Sequence, residues 1–293
     1  MNIIGATTTW NSIDLVEKFL GHYQKLGLRK FLVMDFNSSD GTQDVLNSST
    51  WSDFVRLVPY PWIDHLDSSN IFLALAKESF PPETLCLFCD PDEFLVTPSM
   101  KICEAVWTGS IDRMGACEIP RFNMTALRDV AASEQALLTP FDALKYRINK
   151  RVRRWGSDME NEVLDPPWIF TDIPGKVLVR LEATTLIHDG DHWATCKEGE
   201  PGPAPEGVYL LHYPFRTWKE FEDKIEMAKI DYGINTYRPP SYGWQYRRWI
   251  RISNETRLYS EYLEQFIERD NIERLLADKT LYIDDHVRQF NTI

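Results

Sequence analysis

The chain has 293 residues, 43% of them hydrophobic, which is enough for a large core in one big domain or two small ones. A formal net charge of -12 argues against a sequence-independent nucleic-acid binder, which needs a basic face. No apolar run spans a membrane and the N-terminus does not read as a signal peptide, so the expectation is a cytoplasmic protein. The five cysteines follow no metal or disulfide spacing; Cys86, Cys89, Cys103 and Cys117 sit among apolar residues and read as buried thiols of a reducing compartment.

The first hundred residues alternate strand and helix patterns. Asn2 to Ala6 reads as a first strand. Ile13 to Leu26 reads as an amphipathic helix with Ile13, Val16, Phe19, Leu20 and Tyr23 on one side, stopped by Gly27. Phe31 to Met34 is a second buried strand. Asn37 to Thr42 is turn chemistry leading into a short helix, with Asp40 as its N-cap. Phe54 to Tyr60 is a third strand, Ser68 to Ser79 a helix, and Leu85 to Cys89 a fourth strand. Strands separated by helices imply parallel pairing, and ligands of such sheets bind beyond the carboxyl ends of the strands. Thr7 to Trp10, Asp35 to Asn37 and Asp90 to Glu93 all fall at such ends.

The fourth strand ends abruptly in Asp90-Pro91-Asp92-Glu93. In extended chain Asp90 and Asp92 share a side. Two adjacent carboxylates repel unless a positive charge lies between them, and a divalent cation with oxygen ligands supplies that charge and can also hold substrate phosphates.

Further on, Gly115 to Phe122 and Lys176 to Leu181 read as strands, and Ser157 to Pro174 as a long loop. Glu198 to Gly207 reads as a mobile loop, Val208 to Tyr213 as a strand, Trp218 to Tyr232 as a helix, and Glu255 to Ala277 as one or two more helices. Basic residues cluster in Lys145, Arg147, Lys150, Arg151, Arg153 and Arg154, and in Arg247, Arg248 and Arg251: either solvated strips or a cationic wall facing an anionic ligand. Tyr242, Trp244, Tyr246 and Trp249 suit sugar rings by their chemistry, although docking of the C-terminal helices explains most of them. No repeat or linker splits the chain, so the expectation is one domain over 1–293, with a donor half at 1–100, an acceptor half at 101–230 and a helical extension at 231–293.

Thr8-Thr9-Trp10-Asn11, then Val33-Met34-Asp35-Phe36-Asn37-Ser38-Ser39-Asp40-Gly41-Thr42, then Asp90-Pro91-Asp92-Glu93-Phe94 together resemble the family 2-like glycosyltransferases of GT-A fold, in the sub-type whose metal motif reads Asp-x-Asp-Glu-Phe. Lys176 to Arg180, a histidine near residue 190, and His212-Tyr213 followed by Trp218 to Lys224 extend the resemblance over roughly residues 2 to 230. One departure is Thr9-Trp10-Asn11 where the sub-type usually carries Lys-Asn-Glu, so base or sugar choice is expected to differ. The resemblance implies an α/β fold with a mostly parallel central sheet flanked by helices and a C-terminal helical extension. It implies transfer of a sugar from a nucleotide-sugar donor, a UDP-sugar first of all, to a hydroxyl of a glycan or glycoconjugate, with Mn²⁺ or Mg²⁺ as cofactor.

It also implies roles. Asp92 would bind the metal directly, and Asp90 would contact the ribose or reach the metal through water. His212 would complete the metal site, with His192 as alternate. Thr8 and Trp10 would touch and stack on the base, and Asp35 would accept hydrogen bonds from base or ribose, unless it only shapes its turn. Glu93 would line the sugar pocket or form a salt bridge. Within His188-Asp189-Gly190-Asp191-His192, Asp191 is the expected base for the acceptor hydroxyl and Asp189 its alternate. Rival readings are a nucleotidyltransferase or metal-dependent hydrolase, and a sugar-binding scaffold on a decayed transferase fold.

Overall fold

The computed structural model describes residues 2–60, 67–102, 111, 114–133, 140–154, 163–234 and 243–292. Two compact units emerge. The first combines Met1–Arg121, Pro174–His212 and Gln289–Ile293; the second combines Phe122–Ile173 and Tyr213–Arg288. Each is therefore assembled from separated stretches of chain.

The strands of the chain are β1 (Ile3–Thr9), β2 (Lys30–Asp35), β3 (Val55–Leu57), β4 (Leu85–Phe88), β5 (Glu93–Val96), β6 (Ala116–Ile119), β7 (Arg121–Thr125), β8 (Tyr146–Ile148), β9 (Lys176–Arg180), β10 (Thr184–Ile187), β11 (Ala194–Cys196), β12 (Gly202–Pro203), β13 (Tyr209–His212) and β14 (Leu281–Ile283). In the first unit seven of them form one sheet in the order β12-β6-β9-β4-β1-β2-β3. Four of its six junctions are parallel, and β9 runs antiparallel to both neighbours, β4 and β6. The protein is thus mixed α/β with a mostly parallel central sheet, flanked by helices and followed by a helical C-terminal region, as the sequence implies.

Helices α1 (Val16–Leu26), α2 (Thr42–Leu46) and α3 (Ser68–Ser79) connect the first four strands. Helix α1 starts three residues later than its apolar pattern, and the Ile13 N–H ahead of it is held by an Asp40 carboxylate oxygen at 3.0 Å. It ends at Gly27, whose φ of 99° lets Leu28 N–H reach back to the Tyr23 carbonyl at 3.1 Å. Close approach demands glycine at position 5: a Cβ there would lie 2.3 Å from the Phe31 ring on β2. The core between sheet and α3 gathers Ile4, Leu32, Met34, Phe72, Cys86, Phe88, Val177 and Val179.

Several boundaries differ from the sequence pattern for stated reasons. The run Gly115 to Phe122 breaks into β6 and β7 at Pro120, which has no N–H to give a ladder. Strand β3 stops at Leu57 rather than Tyr60, with Pro59 just beyond. The Glu198 to Gly207 loop contains β12, a two-residue edge strand paired with Cys117 and Glu118 of β6, where a proline is tolerated. Cys86, Cys89 and Cys117 are buried thiols, and Cys103 lies outside the described residues.

In the second unit β7, β8 and β14 pair antiparallel. The helix Trp244–Asn254 buries Trp244 and Trp249, and Trp249 packs edge-on against Trp168, Phe215 and Phe221. The aromatic cluster there is helix docking; Tyr237 and Tyr242 lie outside the described residues. The basic strip is internally paired: Arg147 with Asp284 at 2.8 Å and Arg151 with Asp172 at 3.0 Å. Among the described residues no helix is long and apolar enough to cross a membrane.

Candidate active site

The carboxyl ends of β2, β1 and β4 lie side by side, since Thr9 pairs with Asp35 and Ala6 with Phe88. The loops leaving β1 and β2 are clasped together. Asn11, in the left-handed region at φ 45°, donates its N–H to Ser38 Oγ at 2.8 Å and accepts from Ser39 N–H at 2.8 Å. Ser12 N–H reaches Thr42 Oγ1 at 2.9 Å, and Asp40 Oδ1 accepts from Thr42 N–H at 3.0 Å. Asp35 holds the turn with both oxygens, accepting from Ser38 N–H at 2.9 Å, Ser38 Oγ–H at 2.5 Å and Gln43 Nε2 at 2.6 Å. Thr8 and Trp10 are half-buried on the same edge.

Next along that edge is the acidic turn. Strand β4 ends at Phe88, and Glu93 N–H closes a turn onto the Asp90 carbonyl at 3.0 Å. Strand alternation therefore does not govern Asp90 and Asp92, and the expectation that they share a side through it is corrected. Asp90 pairs instead with Glu93, whose Oε2 accepts from Asp90 N–H at 2.8 Å.

Two buried cations serve this pair. Lys176 opens β9, which runs antiparallel beside β4 and so delivers its first residue to the carboxyl end of that strand. Its ammonium lies 2.9 Å from Asp90 Oδ2, 3.9 Å from Glu93 Oε2 and 3.8 Å from Asp191 Oδ2, and donates to the Gly190 carbonyl at 2.9 Å. Arg121 pairs with Glu93, lies 3.9 Å from Asp90 and donates Nε–H to the Pro174 carbonyl at 3.2 Å. Lys176 is 1% exposed and Glu93 fully buried, while Asp90 is 41% exposed and forms the rim.

The loop after β10 forms the opposite wall. Gly190 and Asp191 are consecutive left-handed residues, at φ 72° and 61°. Ser69 of α3 hydrogen-bonds Asp191 Oδ1, and the Asn70 side chain both donates to the Ile187 carbonyl at 2.7 Å and accepts from its N–H at 2.9 Å. His192 Nδ1–H donates to the Gly175 carbonyl at 2.7 Å, which leaves Nε2 as the unprotonated nitrogen. Asp189 is exposed at the start of the turn. On the far side of Asp90, β5 pairs with β13 so that Glu93 stands opposite His212. His212 Nε2 is 3.7 Å from Asp92 Oδ2, and both residues are buried.

Electrostatics follow from this packing. Partial loss of hydration at the rim pushes Asp90 up, but Lys176, with Arg121, outweighs it and Asp92, holding Asp90 below the usual carboxylate range. Burial pushes Glu93 up to about 7 against Lys176 and Arg121. Burial likewise raises Asp191, with Lys176 opposing. Burial, then Lys176 and Arg121, depress His192 to about 3, so its imidazole is neutral.

Lys176, Arg121 and Ser69 were not among the residues expected from sequence. Lys176 had one local signal, a cation placed before the apolar run Val177 to Val179, with Arg180 closing the strand; its partner at the end of β4 is set by register, which sequence spacing does not carry. Among the described residues no group of three or more His, Cys, Asp or Glu side chains is gathered to enclose a metal ion. The 3.7 Å between His212 Nε2 and Asp92 Oδ2 is an ion-pair separation, longer than a hydrogen bond.

No protein-family model matches the chain. A glycosyltransferase family 92 protein of Ricinus communis is 21% identical over 237 residues, covering 80% of this chain and 38% of the relative. The chain thus spans about two fifths of the length of that curated relative. Among solved structures, S. aureus TarS 1-349 in complex with UDP-GlcNAc is similar at 13% identity and TM-score 0.43, covering 92% of this chain and 74% of that one. A 4-diphosphocytidyl-2C-methyl-D-erythritol synthase is similar at 12% identity and TM-score 0.27, covering 43% of this chain and 64% of that one.

Proposed function

We propose that the protein is a metal-dependent glycosyltransferase of GT-A architecture, moving a sugar from a nucleotide-sugar donor, a UDP-sugar first of all, to a hydroxyl of a glycan or glycoconjugate. The observation that carries this reading is the acidic turn flanked by His212 on one side and by Lys176 and the Asp191 loop on the other, at the carboxyl ends of β1, β2 and β4. The similarity to a family 92 glycosyltransferase supports the reaction class.

Thr8 and Trp10 face the base in this reading. Asp35 uses three of its roughly four acceptor positions on its own turn, which leaves room for one ribose or base donor. Asp92 and His212 would hold Mn²⁺ or Mg²⁺ with Asp90 beside them, the remaining positions going to diphosphate oxygens and water. The imidazole nitrogen favours Mn²⁺ over the harder Mg²⁺. When bound, the ion supplies Lewis-acid charge to the departing diphosphate.

The acceptor wall is the Asp191 loop. Ser69 occupies Asp191 Oδ1, so Oδ2 is the oxygen left to take a proton. On an inverting course the acceptor oxygen bonds to the anomeric carbon, the bond from that carbon to phosphate oxygen breaks, and the hydroxyl proton passes to Asp191 Oδ2. A carboxylate raised by burial is a better base than a free one. Exposed Asp189 is the alternate.

The test is thermal unfolding with a panel of nucleoside diphosphates and nucleotide sugars, with and without Mn²⁺. One nucleotide should raise Tm only with metal, and Asp92→Ala should lose the shift. No shift with any nucleotide would sink the reading.

A further inference from the structure

We infer that Lys176 is a positioning residue which holds the 188–192 loop in register with the Asp90–Glu93 turn. This rests in part on the glycosyltransferase reading, because the register matters most if the turn serves the donor and the loop serves the acceptor.

Burial excludes contact with substrate: Lys176 is 1% exposed and sits behind Asp90. Its ammonium has two close partners, both within the site. One is Asp90 Oδ2 at 2.9 Å and one the Gly190 carbonyl at 2.9 Å, while Glu93 and Asp191 stand within 4 Å on either side. A single ammonium is thus the shared counter-ion of the turn and the loop. The residue before it acts on the same loop, since the Gly175 carbonyl takes the His192 Nδ1 proton. The dipeptide Gly175-Lys176 therefore grips the loop at two points, 190 and 192.

The loop requires such a grip. Asp191 at φ 61° follows Gly190 at φ 72°, two consecutive left-handed residues that any shift of the loop must disturb. Ser69 and Asn70 fix the loop to α3, but nothing in their bonds relates it to β4. Lys176 alone among these residues touches both Asp90 and the 188–192 backbone. Without it, three carboxylates face each other with Arg121 as the nearby cation, and Asp191 is drawn away from Asp90 by repulsion.

The experiment compares amide hydrogen exchange and kinetics of the full chain as wild type, Lys176→Met, Lys176→Gln and Lys176→Arg. Lys176→Met should raise exchange in residues 187–193 about tenfold or more while β1 and β2 stay protected. Lys176→Gln keeps a donor for Gly190 at lower risk to folding and should move the same amides less. Lys176→Arg keeps the charge and should restore most of the protection. For turnover, measured as UDP release from UDP-sugars with Mn²⁺, Lys176→Met should lose about a hundredfold in kcat with KM within about threefold, as a misplaced reacting group does. Unchanged exchange in 187–193 in both neutral variants, exchange rising equally across β1 and β2, or a loss carried in KM would overturn the inference. Wild type that binds no nucleoside diphosphate and turns over no nucleotide sugar removes the glycosyltransferase reading instead, and the exchange comparison then decides the inference by itself.

Discussion

Gly190 shows how tightly single residues are set here. A Cβ added there would lie 2.7 Å from His192 Nε2, and the backbone stands at φ 72°. Gly190→Ala should therefore cost about 1–2 kcal/mol from backbone conformation alone. It should also swing His192 off the Gly175 carbonyl, visible as loss of a slowly exchanging Nδ1 proton in the NMR spectrum. A His192 signal unchanged in the variant would refute this geometry. His212 offers a second check on the metal reading. His212→Ala should weaken Mn²⁺ affinity in the presence of UDP by roughly 10- to 100-fold, as loss of one ligand or its support does. Equal affinity in wild type and variant would remove His212 from the ligand set.

Among elements, α3 and the helix Trp244–Asn254 make the sharpest contrasts. Asn70 on α3 makes two hydrogen bonds to Ile187, so Asn70→Ala leaves a backbone N–H and carbonyl unpaired at about 1–3 kcal/mol, read as a fall in Tm. In the second unit Arg248 on Trp244–Asn254 is bound at 3.0 and 2.9 Å by the buried Glu261 carboxylate. Arg248→Met alone should cost about 3–5 kcal/mol by stranding a charge, while Arg248→Met with Glu261→Leu should recover much of it. Chemical denaturation measures both, and an additive double variant would contradict the pairing. Helix α3 was legible to the residue in sequence, because its apolar positions are a local signal; the Asp67 cap is seen only in the structure. Strand β5 was not: Glu93 to Val96 is fully buried, but it follows a charged turn and its period merges with that of β4. The same limit applies to the site. Asp90, Asp92 and the His188 to His192 run stand out by residue type and spacing, and His212 enters only through the family resemblance, whereas Lys176 and Arg121 acquire meaning only when antiparallel β9 brings position 176 to the end of β4.

Across the whole molecule the buried titratable groups set the response to pH. Burial depresses His22 to about 4, against its hydrogen bond to the Leu95 carbonyl and with Lys25 adding to the fall. The folded chain keeps His22 neutral where the unfolded chain binds a proton below about 6.5, so stability rises with pH across that window. Above pH 6.5 both states hold a neutral imidazole and the linkage is zero; as pH falls to about 4 it grows to a destabilisation on the order of 3 kcal/mol. Glu93 acts oppositely: with its folded value raised from 4.5 to about 7, it removes stability as pH rises between those values. Unfolding free energies of His22→Gln between pH 4 and 6.5 should therefore rise less steeply with pH than those of wild type, and parallel slopes would refute the assignment. The chain leaves the first unit twice, after Arg121 and after His212, and returns at Pro174 and Gln289. At the first departure the gap is closed within the unit itself, by the hydrogen bond from Arg121 to the Pro174 carbonyl at 3.2 Å. The ends of the excursion from 122 to 173 are thus tied together inside the unit that the chain leaves, so the unit's own edge does not depend on what the excursion carries.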